Sequence, residues 1–81
     1  MLKYEIYTEY QADPVYAGIT YCTASDIDEW DRFRLKDGWY FTQLEPGTLE
    51  QYSELTGPFH STYSALNEML EHFEAKSAKG I

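Results

Sequence analysis

An amphipathic stretch between Gly57 and Phe73 constrains the fold more than any other part of this sequence. Its large apolar side chains recur at steps of four and three residues, which places them on one side of a helix. They are Phe59, Tyr63, Leu66, Leu70 and Phe73. Pro58 favours an extended approach and Ser61 or Thr62 can cap the first turn, so we predict that the helix starts near residue 61. The apolar stripe is expected to be buried against the strands that precede it.

The length and composition of the chain predict a single domain. With 81 residues, of which 43% are hydrophobic, it can bury one modest core. We therefore predict one domain over residues 1–81, with residues 76–81 as a frayed tail. The 8 tyrosines are more than such a core needs, so some are expected at the surface, where tyrosine is frequent in protein contacts.

Two alternating segments near the N-terminus predict a β-hairpin. Apolar and polar side chains alternate from Leu2 to Tyr10 and again from Val15 to Cys22, with turn residues at Asp13-Pro14. Because the connection is short, the two strands are expected to be antiparallel. Gly18 is expected to mark either a bulge or the close approach of a neighbouring segment.

The segment after this hairpin admits two interpretations. A short helix that opens at Ser25 and stops at Asp37-Gly38 would have capping and acidic residues in its first turn. In the competing interpretation Arg32 to Lys36 is a strand, joined to Trp39 by an Asp-Gly turn. We favour the helix, and residues 32–36 remain open between helix and strand.

A second hairpin is predicted between this segment and the amphipathic stretch. Trp39 to Leu44 is aromatic and β-prone, Glu45-Pro46-Gly47-Thr48 has turn chemistry, and Glu50 to Thr56 can return as the partner strand. The elements together predict an α+β fold. We expect an antiparallel sheet of about four strands, with a short helix and a C-terminal helix packed on one face.

Residues suited to catalysis or metal binding are few. Cys22 is interpreted as a small buried strand residue, His60 as a turn residue and His72 as a solvated histidine on the helix flank. The sequence has no phosphate loop, dinucleotide fingerprint or nucleophile elbow. We therefore expect that the protein is not an enzyme and uses no cofactor or metal. The single Cys22 and the absence of a long apolar run predict a cytoplasmic protein.

The charge distribution is the unusual signal of the sequence. The formal net charge is -8, and no Lys or Arg occurs between Lys36 and Lys76. Such a chain is not expected to bind nucleic acid or anionic membranes directly, and a basic protein or nucleoprotein surface is the expected partner. Solubility alone is the competing explanation for the surplus of acid. The candidate partner-binding residues are Glu45, Glu50, Glu54, Glu68, Glu71 and Glu74.

The aromatic strand and the turn before the helix form a succession: Gly38-Trp39-Tyr40-Phe41, a Pro-Gly turn, Gly57-Pro58-Phe59, a Ser/Thr cap and Ala65-Leu66. This succession resembles small uncharacterised proteins of bacteriophages and mobile elements. The resemblance implies a strand-strand-helix unit with Trp39 and Phe59 as core anchors, and it supplies no catalytic residues. Some acidic proteins of this kind are anti-CRISPR or other host-targeting inhibitors.

Charge and resemblance together predict a small acidic inhibitor, encoded by a phage or mobile element. It would block the nucleic-acid-binding surface of a host complex such as a CRISPR effector. The alternative is a self-associating structural domain without inhibitory function, in which exposed tyrosines and Trp30 form a homodimer interface. The inhibitor gains support if the acids of the second hairpin and of the helix merge at one end. It loses support if Arg32, Arg34 or Lys36 lies between them.

Overall fold

The computed structural model describes residues 1–23 and 36–81 of the chain. In this part the helix α1 is Thr62–His72, and the strands are β1 (Leu2–Thr8), β2 (Val15–Cys22), β3 (Gly38–Leu44), β4 (Thr56–Phe59) and β5 (Ala75–Gly80). The helix is not long and apolar enough to cross a membrane, and the same holds for any helix within the described ranges. The predicted short helix and its strand alternative fall almost entirely on residues 24–35, outside the described residues.

The strands form a five-stranded antiparallel sheet in the order β4-β3-β2-β1-β5. The predicted first hairpin is present, with Ile6 opposite Val15 in β1 and β2. β3 pairs along the length of β2, from Tyr16 opposite Leu44 to Cys22 opposite Gly38. The predicted α+β class is therefore confirmed, and the described residues form five strands where about four were expected.

The second hairpin differs from its prediction. Residues 50–55 lie outside the named strands and contribute an isolated bridge between Gln51 and Leu44. The partner strand of β3 is β4, which contains the Gly57-Pro58-Phe59 segment that was interpreted as a turn. The prediction of a strand over residues 50–56 is wrong for residues 50–55, where the Tyr52 N–H donates to the Gln43 carbonyl at 3.2 Å but a side chain interrupts the ladder at the next residue. The Ser53 hydroxyl accepts a hydrogen bond from the backbone N–H of Gln43 at 2.8 Å.

The C-terminal residues form an edge strand. β5 pairs with β1, placing Ala78 opposite Ile6, and the Ile81 N–H donates to the Lys3 carbonyl at 2.9 Å. The predictions of a frayed tail at residues 76–81 and of the helix as the C-terminal element are therefore wrong. β5 consists of small residues and lysines, so its sequence has no alternation of apolar residues that would predict a strand. Its strand conformation comes from pairing with β1.

Helix α1 starts where the sequence predicts. The Ser61 hydroxyl accepts a hydrogen bond from the Ser64 N–H at 3.1 Å and caps the first turn. The helix connects β4 and β5, the two edge strands, so it crosses the sheet from one edge to the other. Its rise of about 16 Å over eleven residues is close to the width of roughly 19 Å spanned by five strands.

The face that α1 turns to the sheet is rotated from the predicted one. Ala65 and Met69 are fully buried, whereas Tyr63 is 72% exposed and Leu70 is half-buried. The predicted burial of Tyr63 is therefore wrong. A small side chain at Ala65 lets the helix backbone approach the strands, which the bulk of a tyrosine would prevent.

The core lies between α1 and one face of the sheet. Phe41 is central to it, with its ring centroid 5.9 Å from that of Phe59 and 6.4 Å from that of Phe73. Trp39 and Phe59, the anchors implied by the resemblance, are partly buried and pack against this core. Its buried members are Ile6, Val15, Ala17, Ile19, Phe41, Ala65 and Met69.

Part of the opposite face of the sheet is buried as well. Tyr40, Thr42 and Leu44 alternate with the core residue Phe41 and are at most 1% exposed. A Cβ atom added at Gly18 would collide with the Met1 side chain. The predicted close approach of a neighbour at Gly18 is therefore confirmed, and the pairing of β2 runs through this position without a register shift.

Candidate functional site: the acidic end of the sheet

Strand direction and register bring three chain connections to one end of the sheet. At this end Ile6 is opposite Val15, where β1 approaches the turn into β2. Leu44, the last residue of β3, is opposite Tyr16 at the start of β2. Thr8 is opposite Ala75, the first residue of β5. The turn between β1 and β2, the loop after β3 and the link from α1 to β5 therefore meet at this end.

These three connections carry exposed carboxylates. Glu9 and Asp13 lie in the turn after β1, Glu45 and Glu50 in the loop after β3, and Glu74 in the link between α1 and β5. All of them are exposed to solvent. We call the surface formed by these five residues the acidic end.

The lysines of the described part are placed mainly away from the acidic end. Lys36 precedes Gly38 at the opposite end of the sheet, and Lys3 and Lys79 lie within β1 and β5. Lys76 follows Ala75 in β5 and is the lysine nearest to the acidic end along the described strands. Arg32 and Arg34 lie outside the described residues, so their position relative to the carboxylates stays a prediction.

The loop after β3 holds two of the carboxylates on a single turn. The Glu45 N–H donates to the Glu50 carbonyl at 2.8 Å, and the Leu49 N–H donates to the Glu45 carbonyl at 2.8 Å. Gly47, at a φ of 93°, forms the open tip of this turn. Because backbone hydrogen bonds join Glu45 and Glu50 directly, their separation is set by the loop itself.

Glu74 occupies an unfavourable backbone conformation. It follows the helix C-cap Phe73 at a φ of 53°, and its N–H donates to the Glu71 carbonyl at 3.0 Å. Leu49, in the loop after β3, has a φ of 55°. Left-handed conformation costs a residue with a Cβ roughly 1–2 kcal/mol, and it is common for the residue that follows a helix C-cap, as Glu74 does. Both of these residues lie at the acidic end.

Tyr10 adds an exposed aromatic ring to this surface. It is 74% exposed. Glu74 raises the pKa of Tyr10 above its ordinary value of 10.0, first by accepting a hydrogen bond from the hydroxyl and then through its negative charge. An exposed tyrosine beside carboxylates can supply packing area to a contact in which the carboxylates supply attraction.

The structure places the six sequence-predicted residues in a different grouping. Glu45, Glu50 and Glu74 meet at the acidic end. Glu71 lies in the last turn of α1, and Glu68 lies near its middle. Glu54 lies beside the middle of β3, because the preceding Ser53 carbonyl accepts a hydrogen bond from the Thr42 hydroxyl at 2.9 Å. All six are exposed. Glu54 lies apart from the other two acids of the second hairpin, and Glu68 and Glu71 lie apart from Glu74, the third acid of the helix segment.

Two residues of the acidic end were missed by the sequence analysis. Glu9 and Asp13 lie outside the segment between Lys36 and Lys76 that the sequence analysis considered, and only the strand register joins them to Glu45 and Glu74. Their position at the predicted turn between the first two strands was the available signal. It could not be used because the sequence does not show which other connections reach the same end.

The arrangement of the acidic end is suited to binding a positively charged surface.

Among residues 1–23 and 36–81, no group of three His, Cys, Asp or Glu side chains could hold a metal ion. Cys22 is buried, and His60 is exposed. The exposed His72 ring lies 5.5 Å from Phe41 and 4.8 Å from Phe73 between ring centroids, so the core covers part of a side chain predicted to be solvated.

The tyrosines bonded to carboxylates make a testable prediction about pH. Glu5 accepts a hydrogen bond from the Tyr7 hydroxyl at 2.6 Å and raises the pKa of Tyr7, as Glu74 does for Tyr10. Because both folded-state pKa values lie above 10.0, the small contribution of these exposed interactions to stability is present below pH about 10 and is lost as pH rises through the raised values.

Ultraviolet absorbance of tyrosinate against pH measures this effect. Glu74→Gln is expected to return one tyrosine to the ordinary titration range, and Glu5→Gln is expected to return another. A Glu74→Gln titration curve identical to that of the unmodified chain would show that Tyr10 and Glu74 do not interact in solution.

Comparison with known proteins does not assign a role to this surface. No protein-family model matches the chain, and no curated protein or solved structure is significantly similar to it. The proposed function therefore depends on the charge and geometry of the chain itself.

Proposed function

We propose that this protein is an inhibitor that binds the basic, nucleic-acid-binding surface of a larger protein or nucleoprotein through its acidic end. The observation that carries the proposal is the convergence of three carboxylate-bearing connections at one end of the sheet. A CRISPR effector is one complex with such a surface, and the resemblance to phage-encoded inhibitors suggests it.

The geometry of the acidic end supports this mode of binding. Glu45 and Glu50 are held on one hydrogen-bonded turn, and Glu74 is fixed between a helix and a strand. Carboxylates at set separations can replace the phosphates that arginine and lysine side chains bind in a nucleic-acid groove. Because hydrogen bonds already order the backbone of the loop after β3, binding there must order mainly the carboxylate side chains.

Helix α1 extends the negative surface away from the acidic end. Glu68 and Glu71 are exposed on the helix that leads to Glu74. At 1.5 Å per residue, Glu68 and Glu71 are about 4.5 Å apart along the helix axis, and Glu74 follows the end of the helix. These two carboxylates therefore add to the negative field around the acidic end and do not belong to the proposed contact. A one-sided field of this kind also raises the association rate with a basic partner.

A capture experiment tests the proposal. The full chain is immobilised, a nuclease-treated bacterial lysate is passed over it, and retained proteins are eluted with a rising salt gradient. We expect a nucleic-acid-binding protein to be retained at about 0.1 M salt and released as screening increases. Added nucleic acid should displace it, because both ligands would occupy the same surface.

An unrelated immobilised protein of the same net charge is the control for non-specific attraction. Retention of the same proteins by this control would contradict the proposal. So would a captured protein that added nucleic acid does not displace, because its contact with the chain would lie elsewhere.

A further inference from the structure

The two edges of the sheet differ in their capacity to pair with another strand. β4 is four residues long and contains Pro58, which has no N–H to donate to a further strand. Gln51 pairs with the same edge of β3 through an isolated bridge. β5 is six residues long, and Lys76 to Gly80 are all exposed. The edge formed by β5 is therefore the one that can accept a further strand.

The register shows which backbone groups face away from β1. Ile81 is opposite Lys3 and donates its N–H to the Lys3 carbonyl at 2.9 Å, so this is a hydrogen-bonded pair. In an antiparallel ladder such pairs alternate with pairs whose N–H and C=O groups point outward. Ala78 and Gly80 are therefore the outward-facing residues of β5. They have no strand partner on this side within residues 1–23 and 36–81.

The side chains of β5 itself are small or positively charged. Ala78 and Gly80 present no bulk that would obstruct an incoming strand. Lys79 lies in β5 between them, and Lys3 lies on the adjacent strand β1. Lys79 is opposite Glu5, whose carboxylate accepts hydrogen bonds from Tyr7 at 2.6 Å and Tyr16 at 3.5 Å.

We propose that the free edge of β5 binds an extended, carboxylate-rich segment of a partner protein, which adds a strand to the sheet. The backbone groups of Ala78 and Gly80 provide the hydrogen bonds, and Lys79 and Lys3 select for carboxylates. Lys79 and the acidic end are about 10 Å apart along the strands, since Glu5, opposite Lys79, is three positions before Thr8. That separation exceeds the screening length of about 8 Å at physiological salt.

Charge disfavours a second copy of this chain as the occupant. An antiparallel pairing of two β5 strands about Lys79 would place the two Lys79 side chains directly opposite each other, which is destabilising. This proposal does not use the acidic end, so its test is independent of the proposed function.

Fluorescence anisotropy with labelled six-residue peptides tests the proposal on the full chain. One peptide alternates glutamate with valine, and its counterpart alternates lysine with valine. We expect the glutamate peptide to bind and the lysine peptide to bind at least about tenfold more weakly. Equal binding of both peptides, or binding of neither, would overturn the proposal.

Ala78→Pro is the decisive variant. It removes the outward N–H of Ala78 without removing a bond to β1, and it is expected to weaken binding of the glutamate peptide at least about tenfold. Ala78→Val keeps the N–H and is the matched control, for which we expect nearly unchanged binding. Equal affinities of a folded Ala78→Pro chain and the unmodified chain would overturn the proposal.

Two further measurements keep the test decisive. If circular dichroism shows that Ala78→Pro is unfolded, Lys79→Glu and Lys79→Arg replace it, with lost and retained binding expected respectively. Retained binding in Lys79→Glu would then overturn the proposal. Sedimentation of the unmodified chain as a dimer that Lys79→Glu or Ala78→Pro alters would assign the edge to a second copy instead.

Discussion

Met69→Ala is expected to lower the free energy of unfolding by about 2 to 5 kcal/mol. Met69 is fully buried on the face of α1 that meets the sheet, within the cluster that contains Ile19 and Phe41. Its truncation leaves a cavity. Because α1 is joined to an edge strand at each end, the helix can move only partly into that cavity. Because domains of this size are stable by roughly 5–15 kcal/mol, the variant should be partly or wholly unfolded at moderate urea concentrations.

Leu70→Ala is the matched control for Met69→Ala. Leu70 belongs to the stripe that the sequence predicted as core, but it is half-buried and lies outside the buried cluster. We expect its truncation to cost clearly less than that of Met69, as measured by urea unfolding. A Leu70→Ala cost equal to or above the Met69→Ala cost would show that the helix turns its originally predicted face to the sheet.

The elements that the sequence predicts well are those with local signals. β1 and β2 alternate in polarity and are joined by a turn with Asp13-Pro14, and both are present with the expected antiparallel pairing. β3 is rich in aromatic residues and begins after Asp37. Helix α1 has an N-cap hydroxyl at Ser61. In each case the residues of the element themselves carry the information.

The elements that the sequence mispredicts depend on distant partners. β5 is a strand because β1 offers it an edge, and Lys76, Ser77 and Lys79 show no alternation of apolar residues. The rotation of α1 likewise depends on packing. Ala65 lets the helix backbone approach the strands closely, whereas the larger side chain of Tyr63 would not. The sequence prediction used only large apolar residues and therefore did not include this alanine.

The candidate site was only partly accessible from sequence for the same reason. The sequence identified Glu45, Glu50 and Glu74 as candidates from their charge, but it assigned them to two separate groups. Their convergence follows from register, because Leu44 is paired near the start of β2 and Thr8 is paired with Ala75. The pairing of Thr8 with Ala75 also brings Glu9 to the acidic end, and no local sequence pattern predicts this pairing.

Reversing Glu50 and Glu74 together is expected to weaken binding of the captured partner about tenfold or more at low salt. Exposed ion pairs contribute roughly 0.2–1 kcal/mol each, and a reversal to lysine replaces attraction by repulsion at two positions. The effect should shrink as salt is raised, because both residues are solvent-exposed. Neither side chain belongs to the buried core, so the folded state should be retained.

The affinity of the captured, nucleic-acid-displaceable partner for two double variants tests the central claim most directly. Glu50→Lys with Glu74→Lys reverses two carboxylates of the acidic end, and Glu54→Lys with Glu68→Lys makes the same charge change away from it. Isothermal titration calorimetry is expected to show about tenfold or greater loss for the first pair and near-native affinity for the second. Equal losses for the two pairs would contradict a localised acidic site and leave only a diffuse attraction by net charge.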